Sequence, residues 1–228
     1  MQSPLIVALD VDSEAHLSAL LSQLDPSLCR VKIGKEVFTA LGPHAIALCH
    51  DAGFDVFLDL KFHDIPNTCA GAVRAAANLG VWMVNVHCAG GRQMMQAARA
   101  ALSQSSHQPM LIGVTVLTSM QQSDLDDLGV NRSLDTQVDH MAALAAESGL
   151  DGVVCSAREA ERLRARYGSS LSLVTPGIRP LWAPHNDQAR VVTPSDALAA
   201  GASYLVIGRP ITASEDPSRA LHRIVDEL

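Results

Sequence analysis

Eight short apolar runs punctuate the chain: Leu5–Leu9, Cys29–Ile33, Val56–Leu60, Met83–His87, Leu111–Leu117, Gly152–Cys155, Leu171–Thr175 and Tyr204–Ile207. Most are continuous rather than alternating, the pattern of parallel strands covered on both faces. Between them the apolar positions change to helical spacing, as at Leu17, Leu20, Leu21 and Leu24, or Val138, Met141, Ala142 and Ala145. Helix-start signals fall in the same intervals. Ser156-Ala157-Arg158-Glu159 reads as a capping box, and Thr193-Pro194 as an N-cap followed by proline in the first turn. Strand and helix alternate throughout. Eight such units in 228 residues fit an α/β fold of one domain, a (β/α)8 TIM barrel over residues 1–228, better than an open doubly wound sheet. No Pro/Gly-rich linker, repeat or low-complexity tract divides the chain.

Two connections are longer than the rest, 118–133 and 177–192, and both are polar. After barrel strands such loops serve as lids or as inert surface insertions, and spacing alone does not choose between them. Composition narrows the function class. A net charge of -7 argues against nucleic acid as a partner. No run of about 18 apolar residues predicts a membrane span. The start, Met1-Gln2-Ser3-Pro4, has no basic leader, so secretion is not expected. Cys29, Cys49, Cys69, Cys88 and Cys155 are scattered and odd in number, which suits reduced, structural thiols in a cytoplasmic protein. His44 and His50 lack a carboxylate at metal-site spacing, and no metal is assigned.

The polar residues collect where the strands end, which in a barrel is where active sites are built. The first strand runs to Asp10, the second holds Lys32, the third gives Asp59 and Lys61, and the fourth reaches Asn85 and His87. Asp59 and Lys61 share a face of their strand, about 7 Å apart at Cα. Alone they suit a salt bridge closing a strand end as well as they suit chemistry. With Asp10 and Lys32 on adjacent strands, two carboxylates and two ammonium groups compensate one another and can stay ionised in a partly dry site. Glycine and arginine recur after the seventh and eighth strands, as Gly177-Ile178-Arg179 and Gly208-Arg209. Glycine amides and a guanidinium fork there suit a phosphate. His63 and His87 read more simply as hydrogen-bonded structural histidines, and Gly90-Gly91 as a strand end or helix cap. Trp82 and Trp182 are too few for a stacking platform.

The stretch Asp59-Leu60-Lys61-Phe62-His63-Asp64-Ile65-Pro66-Asn67-Thr68 resembles the signature of the orotidine 5'-phosphate decarboxylases. The resemblance extends to Ala8-Leu9-Asp10, Lys32-Ile33-Gly34, Val114 to Ser119, Thr175-Pro176-Gly177-Ile178-Arg179, Gln188 and Ile207-Gly208-Arg209. It implies a cofactor-free, metal-free enzyme that converts orotidine 5'-phosphate to UMP and CO2, acting as a homodimer with shared active sites. It also implies roles. Lys61 donates the proton to C6, Asp59 lies against the departing carboxylate, and Lys32 holds the array and the ribose. Asp10 binds a ribose hydroxyl, while Asp64 and Thr68 reach into the partner's site. Thr118 and Ser119 lie by the pyrimidine, and Pro176 also binds substrate. Arg179, Gln188, Gly208 and Arg209 hold the phosphate end, where His185 or Arg190 could assist.

Two rivals remain at this point. Magnesium-dependent hexulose-phosphate synthases and sugar-acid phosphate decarboxylases resemble this chain in an Asp-x-Lys-x-x-Asp core. They place an acidic metal ligand on the second strand, where this chain has Lys32, and an ammonium cannot bind Mg2+. A non-catalytic barrel binding a nucleotide or sugar phosphate would keep the arginines but would not need the Asp/Lys array.

Overall fold

Continuous apolar runs form strands here because each strand is covered twice, by helices outside and by other strands' side chains inside. The computed structural model describes residues 3–183 and 192–228. In chain order its strands are β1 (Leu5–Leu9), β2 (Arg30–Gly34), β3 (Val56–Phe62), β4 (Met83–His87), β5 (Met110–Val114), β6 (Gly152–Val154), β7 (Ser172–Pro176) and β8 (Tyr204–Ile207). Each pairs in parallel with the next, and β8 returns to β1, closing the barrel. The expected (β/α)8 architecture is therefore the one found.

The helices are α1 (Glu14–Leu21), α2 (Lys35–Leu41), α3 (His44–Asp51), α4 (Pro66–Asn78), α5 (Gly91–Leu102), α6 (Gln122–Asp127), α7 (Leu134–Glu147), α8 (Ala157–Tyr167), α9 (Pro194–Ala199), α10 (Arg209–Thr212) and α11 (Pro217–Val225). The start signals act as expected. Glu159 reaches back to accept from the Ser156 amide at 2.7 Å, and Thr193 Oγ1 accepts from the Asp196 amide at 3.1 Å. Gly90 closes a short 3-10 turn and Gly91 opens α5, so the pair joins a strand to a helix.

Two cores result. Outward-facing strand residues such as Leu5, Val7, Val31, Leu58 and Leu173 pack against the helix layer. The barrel interior is filled by Ile6, Ala8, Phe57, Met83, Ile112, Val174 and Val206. Each fully buried aliphatic side chain contributes about 1.5–3 kcal/mol. The N-terminal end of the barrel is plugged. The Arg30 guanidinium stacks 4.2 Å from the Trp82 ring, which meets Tyr204 edge-on at 5.1 Å. Arg30 Nη1 also donates to the Ser3 carbonyl at 2.8 Å.

Several boundaries differ from the sequence pattern. The β5 ladder stops at Val114 although the apolar run continues to Leu117; Thr115, just beyond it, brings both its amide, at 3.4 Å, and its hydroxyl, at 2.7 Å, to the Val154 carbonyl. The 118–133 connection is not all loop, since it contains α6. Of 177–192, the described ends are pinned together. Ile178 bridges Val192, and the Arg179 amide donates to the Val192 carbonyl at 3.0 Å. Trp182 anchors on α11 and the residues just after it, with the Arg223 guanidinium 4.1 Å from its ring and Nε1 donating to Glu227 at 2.8 Å.

Candidate active site

β3 is regular as far as Leu58, and then its pairing with β4 shifts before resuming at Phe62. Within that irregularity Lys61 takes φ 53, the single positive φ among the described non-glycine residues. A lysine in the left-handed region is strained and persists only where its surroundings hold it. Two contacts do so. The Lys61 amide donates to Asn85 Oδ1 at 2.8 Å, and its ammonium donates to Asp59 Oδ1 at 2.6 Å. Alternation along β3 anticipated that Asp59 and Lys61 would share a face. They meet, but through a bulge rather than a plain pleat.

Asp59 is the hub. Asn85 Nδ2 donates to the same Oδ1 at 2.7 Å, while Lys32 Nζ lies 3.3 Å from Oδ2. Lys32 also lies 3.6 Å from Asp10 Oδ1, so three adjacent strands supply a chain of alternating charge. Burial raises the Asp59 pKa, but the two ammonium groups and the two hydrogen bonds outweigh it and hold the carboxyl below its ordinary range. Space beside Lys32 is tight, since a Cβ on Gly34 would sit 3.2 Å from its Nζ.

A cavity of about 430 Å³ opens above these groups at the C-terminal end of the barrel. Asp10, Lys32, Asp59 and Lys61 form one wall, and Val114, Val154 and Val206 stand among its apolar lining. Gly177, at φ 78, turns the chain after β7 so that Arg179 joins the lining while remaining 3% exposed. Pro176, Thr118, Gly208 and Arg209 also line the cavity. Two arginines and two glycines thus line the same mainly apolar cavity as the Asp/Lys array, a donor set chemically suited to an anion.

The model of the Orotidine 5'-phosphate decarboxylase / HUMPS family matches residues 3–224. The chain belongs to that family. The "Orotidine 5'-phosphate decarboxylase" of Aliivibrio fischeri (strain MJ11) is 57% identical over 220 residues, covering 96% of this chain and 94% of that protein. The protein of the same name from Pseudomonas syringae pv. tomato is 56% identical over 228 residues, covering 100% of this chain and 98% of the relative. Among solved structures, orotidine 5'-phosphate decarboxylase from Lactobacillus acidophilus superposes with a TM-score of 0.88 at 38% identity, covering 99% of this chain and 98% of that one.

The stretch that first resembled the orotidine 5'-phosphate decarboxylases is divided in space. Asp59 and Lys61 face the cavity, whereas Asp64 and Thr68 are exposed at the entrance to α4 and do not line it within one chain. Asp64 Oδ1 instead accepts from the Ile65 amide at 2.6 Å. Ser119 is likewise exposed and absent from the lining, although Thr118 beside it belongs there. Gln188, His185 and Arg190 lie outside the described residues. Asn85 is the residue that the pattern named only as a strand end. It is 0% exposed and bonds both Asp59 and Lys61. An asparagine inside an apolar strand is itself a signal, because a buried amide must be paired.

His63 and His87 were expected to be hydrogen-bonded, but among the described residues neither ring makes a hydrogen bond and they contact each other instead. The His63 and His87 rings stand 5.4 Å apart and tilted by 42°. Burial first, then His63, Lys35 and Lys61, push the His87 pKa down to about 4, against a smaller opposing effect of Asp59, so it is neutral at pH 7. All five cysteines are free and buried, and burial drives the thiols of Cys29, Cys49, Cys88 and Cys155 up to about 12. They are inert as nucleophiles. Among the described residues, no helix is long and apolar enough to cross a membrane.

Proposed function

We propose that this chain decarboxylates orotidine 5'-phosphate to UMP and CO2, with Lys61 as the proton donor to C6. The observation that carries this reading is the Lys61 ammonium, pinned 2.6 Å from Asp59 at the wall of the cavity, with Arg179 and Arg209 also lining it. The names and high identity of its relatives support the same reaction. In it the C6–carboxylate bond breaks, CO2 leaves, and the electron pair remains on C6, where the ring cannot delocalise it as an enolate. A fixed ammonium at that carbon stabilises the charge as it develops, without reorganisation. The Lys61 proton then passes to C6, and water reprotonates the amine.

Asp59 lies beside the departing carboxylate in this reading, and repulsion between them falls as neutral CO2 forms. Asp10 and Lys32 hold the ribose, Thr118 and Ser119 border the pyrimidine, and Pro176, Arg179, Gln188, Gly208 and Arg209 complete the substrate contacts. Binding energy gained at the phosphate, far from C6, then offsets strain at the reacting centre. Asp64 and Thr68, exposed on one chain, serve the site of a second copy in a cytoplasmic homodimer. Lys32 argues against the magnesium-dependent alternative. Its ammonium sits 3.3 Å from Asp59, where an oxygen ligand would be needed.

An ultraviolet assay of orotidine 5'-phosphate loss tests this. The wild type should turn over equally with and without EDTA, and Lys61→Ala should lose at least about a thousandfold in kcat while still binding UMP. Near-normal turnover of Lys61→Ala overturns the assignment, and loss of wild-type activity in EDTA favours the metal-dependent alternative.

A further inference from the structure

Asn85 carries no charge and does not line the cavity, yet it touches both groups on which the proposed chemistry depends. It lies on β4 between Val84 and Val86, both fully buried, and its own side chain is fully buried. A carboxamide in such a place is destabilising unless each end is paired. Its pairing is divided between two jobs. The oxygen accepts from the Lys61 amide at 2.8 Å, and the nitrogen donates to Asp59 Oδ1 at 2.7 Å. The orientation of the amide follows from its partners, since an N–H needs an acceptor and a carboxylate needs a donor.

The contact to Lys61 falls where β3 leaves its ladder. Between Leu58 and Phe62 the regular pairing with β4 is interrupted, and Asn85 Oδ1 takes an amide proton within that gap. The same side chain thus bridges the strained backbone of Lys61 and the oxygen that receives the Lys61 ammonium. Asp59 Oδ1 accepts two donors at once, Lys61 Nζ and Asn85 Nδ2, which fixes the carboxylate plane from one side while Lys32 approaches Oδ2 from the other.

We propose that Asn85 is a positioning residue for the decarboxylation: its amide locks the left-handed Lys61 backbone and the rotamer of Asp59, so that the Lys61 ammonium is aimed at the reacting carbon. This rests on the function proposed for the same site. Without Asn85, Lys61 relaxes toward ordinary extended backbone, and its ammonium leaves the position from which it serves C6. A misplacement of about 1 Å costs on the order of a hundredfold in rate. Substrate contacts at the phosphate end come from other strands and are unaffected.

The groups facing Asp59 are Lys32 from β2, Lys61 on its own strand and Asn85 from β4, with Asp10 at the end of β1 reaching Lys32, and His87 and Lys35 farther out. Removing the Asn85 donor takes away one of the contacts that keep Asp59 ionised, so its pKa rises.

The experiment compares wild type with Asn85→Leu, close in size but unable to hydrogen-bond. The expected result is a kcat lower by roughly a hundredfold, with KM for orotidine 5'-phosphate and Kd for UMP within about threefold of wild type. The acid limb of the kcat profile should also move to higher pH, which a purely structural residue would not cause. A kcat within about threefold of wild type overturns the proposal. So does a parallel loss of kcat and UMP affinity with no movement of the acid limb, which marks a packing residue only. Should Asn85→Leu not fold, Asn85→Ser, which leaves room for water, carries the same measurements. Wild-type protein that binds UMP but never turns over orotidine 5'-phosphate overturns the decarboxylase function and this role with it. With an active wild type, the outcome bears on Asn85 alone.

Discussion

The Asp59 carboxylate stays charged because Lys32, Lys61 and Asn85 together outweigh the burial that opposes ionisation. A carboxyl with a depressed pKa contributes stability above its unfolded pKa and loses that contribution as pH falls through the folded value. His87 acts in the same direction by another route. Its pKa falls from an ordinary 6.5 to about 4, so the unfolded chain binds this proton more readily than the folded one. Stability must therefore fall as pH drops from about 6.5 to about 4, before Asp59 itself begins to titrate. Thermal unfolding across that window should show a shallower decline for His87→Gln than for wild type. Equal slopes would mean that the imidazole takes up its proton at the same pH in the folded and the unfolded chain. The prediction is specific to His87, since its neighbours His63, Lys35, Lys61 and Asp59 remain in the variant.

Among the strands and helices, the barrel was legible and the bulge was not. Continuous apolar runs announce buried parallel strands wherever they occur, so all eight were recognisable and Leu5–Leu9, Met83–His87 and Tyr204–Ile207 coincide with their ladders. Where a strand stops is set by backbone partners, which hydropathy does not encode; the apolar run goes on to Leu117, but the β5 ladder ends at Val114. The left-handed Lys61 was hidden for the same reason, because a bulge leaves alternation intact on either side. Asn85 read as a strand end because polar residues gather where the apolar runs stop, and its full burial is visible only in the structure. Glycine positions in the strands carry a further requirement. A Cβ on Gly152 would lie 2.5 Å from the Ser172 carbonyl oxygen and 3.1 Å from Ile112 Cγ2, so β6 reaches both neighbours only without a side chain. Gly152→Ala should destabilise the fold by about 1–3 kcal/mol, because the backbone cannot yield as a flexible side chain would. An unchanged melting temperature would show that the β6–β7 pairing gives way at little cost.

A single chain, taken entire, supplies an incomplete version of the proposed site. Lys32, Asp59 and Lys61 are gathered at the cavity, while Asp64 and Thr68 stay outside it on an exposed turn, next to Ile65 at 66% exposure. An exposed isoleucine between Asp64 and Pro66, at the entrance to a helix, fits a surface that a second copy covers. If Asp64 serves the partner's site, each site takes Asp59 and Lys61 from one subunit and Asp64 from the other. Two inactive variants then complement each other. Asp59→Ala and Asp64→Ala homodimers should each be nearly inactive, and mixing them should yield heterodimers with one site lacking both groups and one site lacking neither. At equal concentrations and random exchange about half the dimers are mixed, each with one of two sites intact, so activity should recover toward roughly a quarter of wild type by this arithmetic of shared sites. Confirmed exchange without recovery would place Asp64 outside the partner's site. Exchange itself can be followed with differently tagged subunits, so failure to mix is not mistaken for failure to complement. An Ile65→Asp variant sharpens the outcome. If a second copy covers this surface, a charge placed there should shift the protein toward monomer in sedimentation and reduce turnover together, because separation of the subunits would withdraw Asp64 from every site at once.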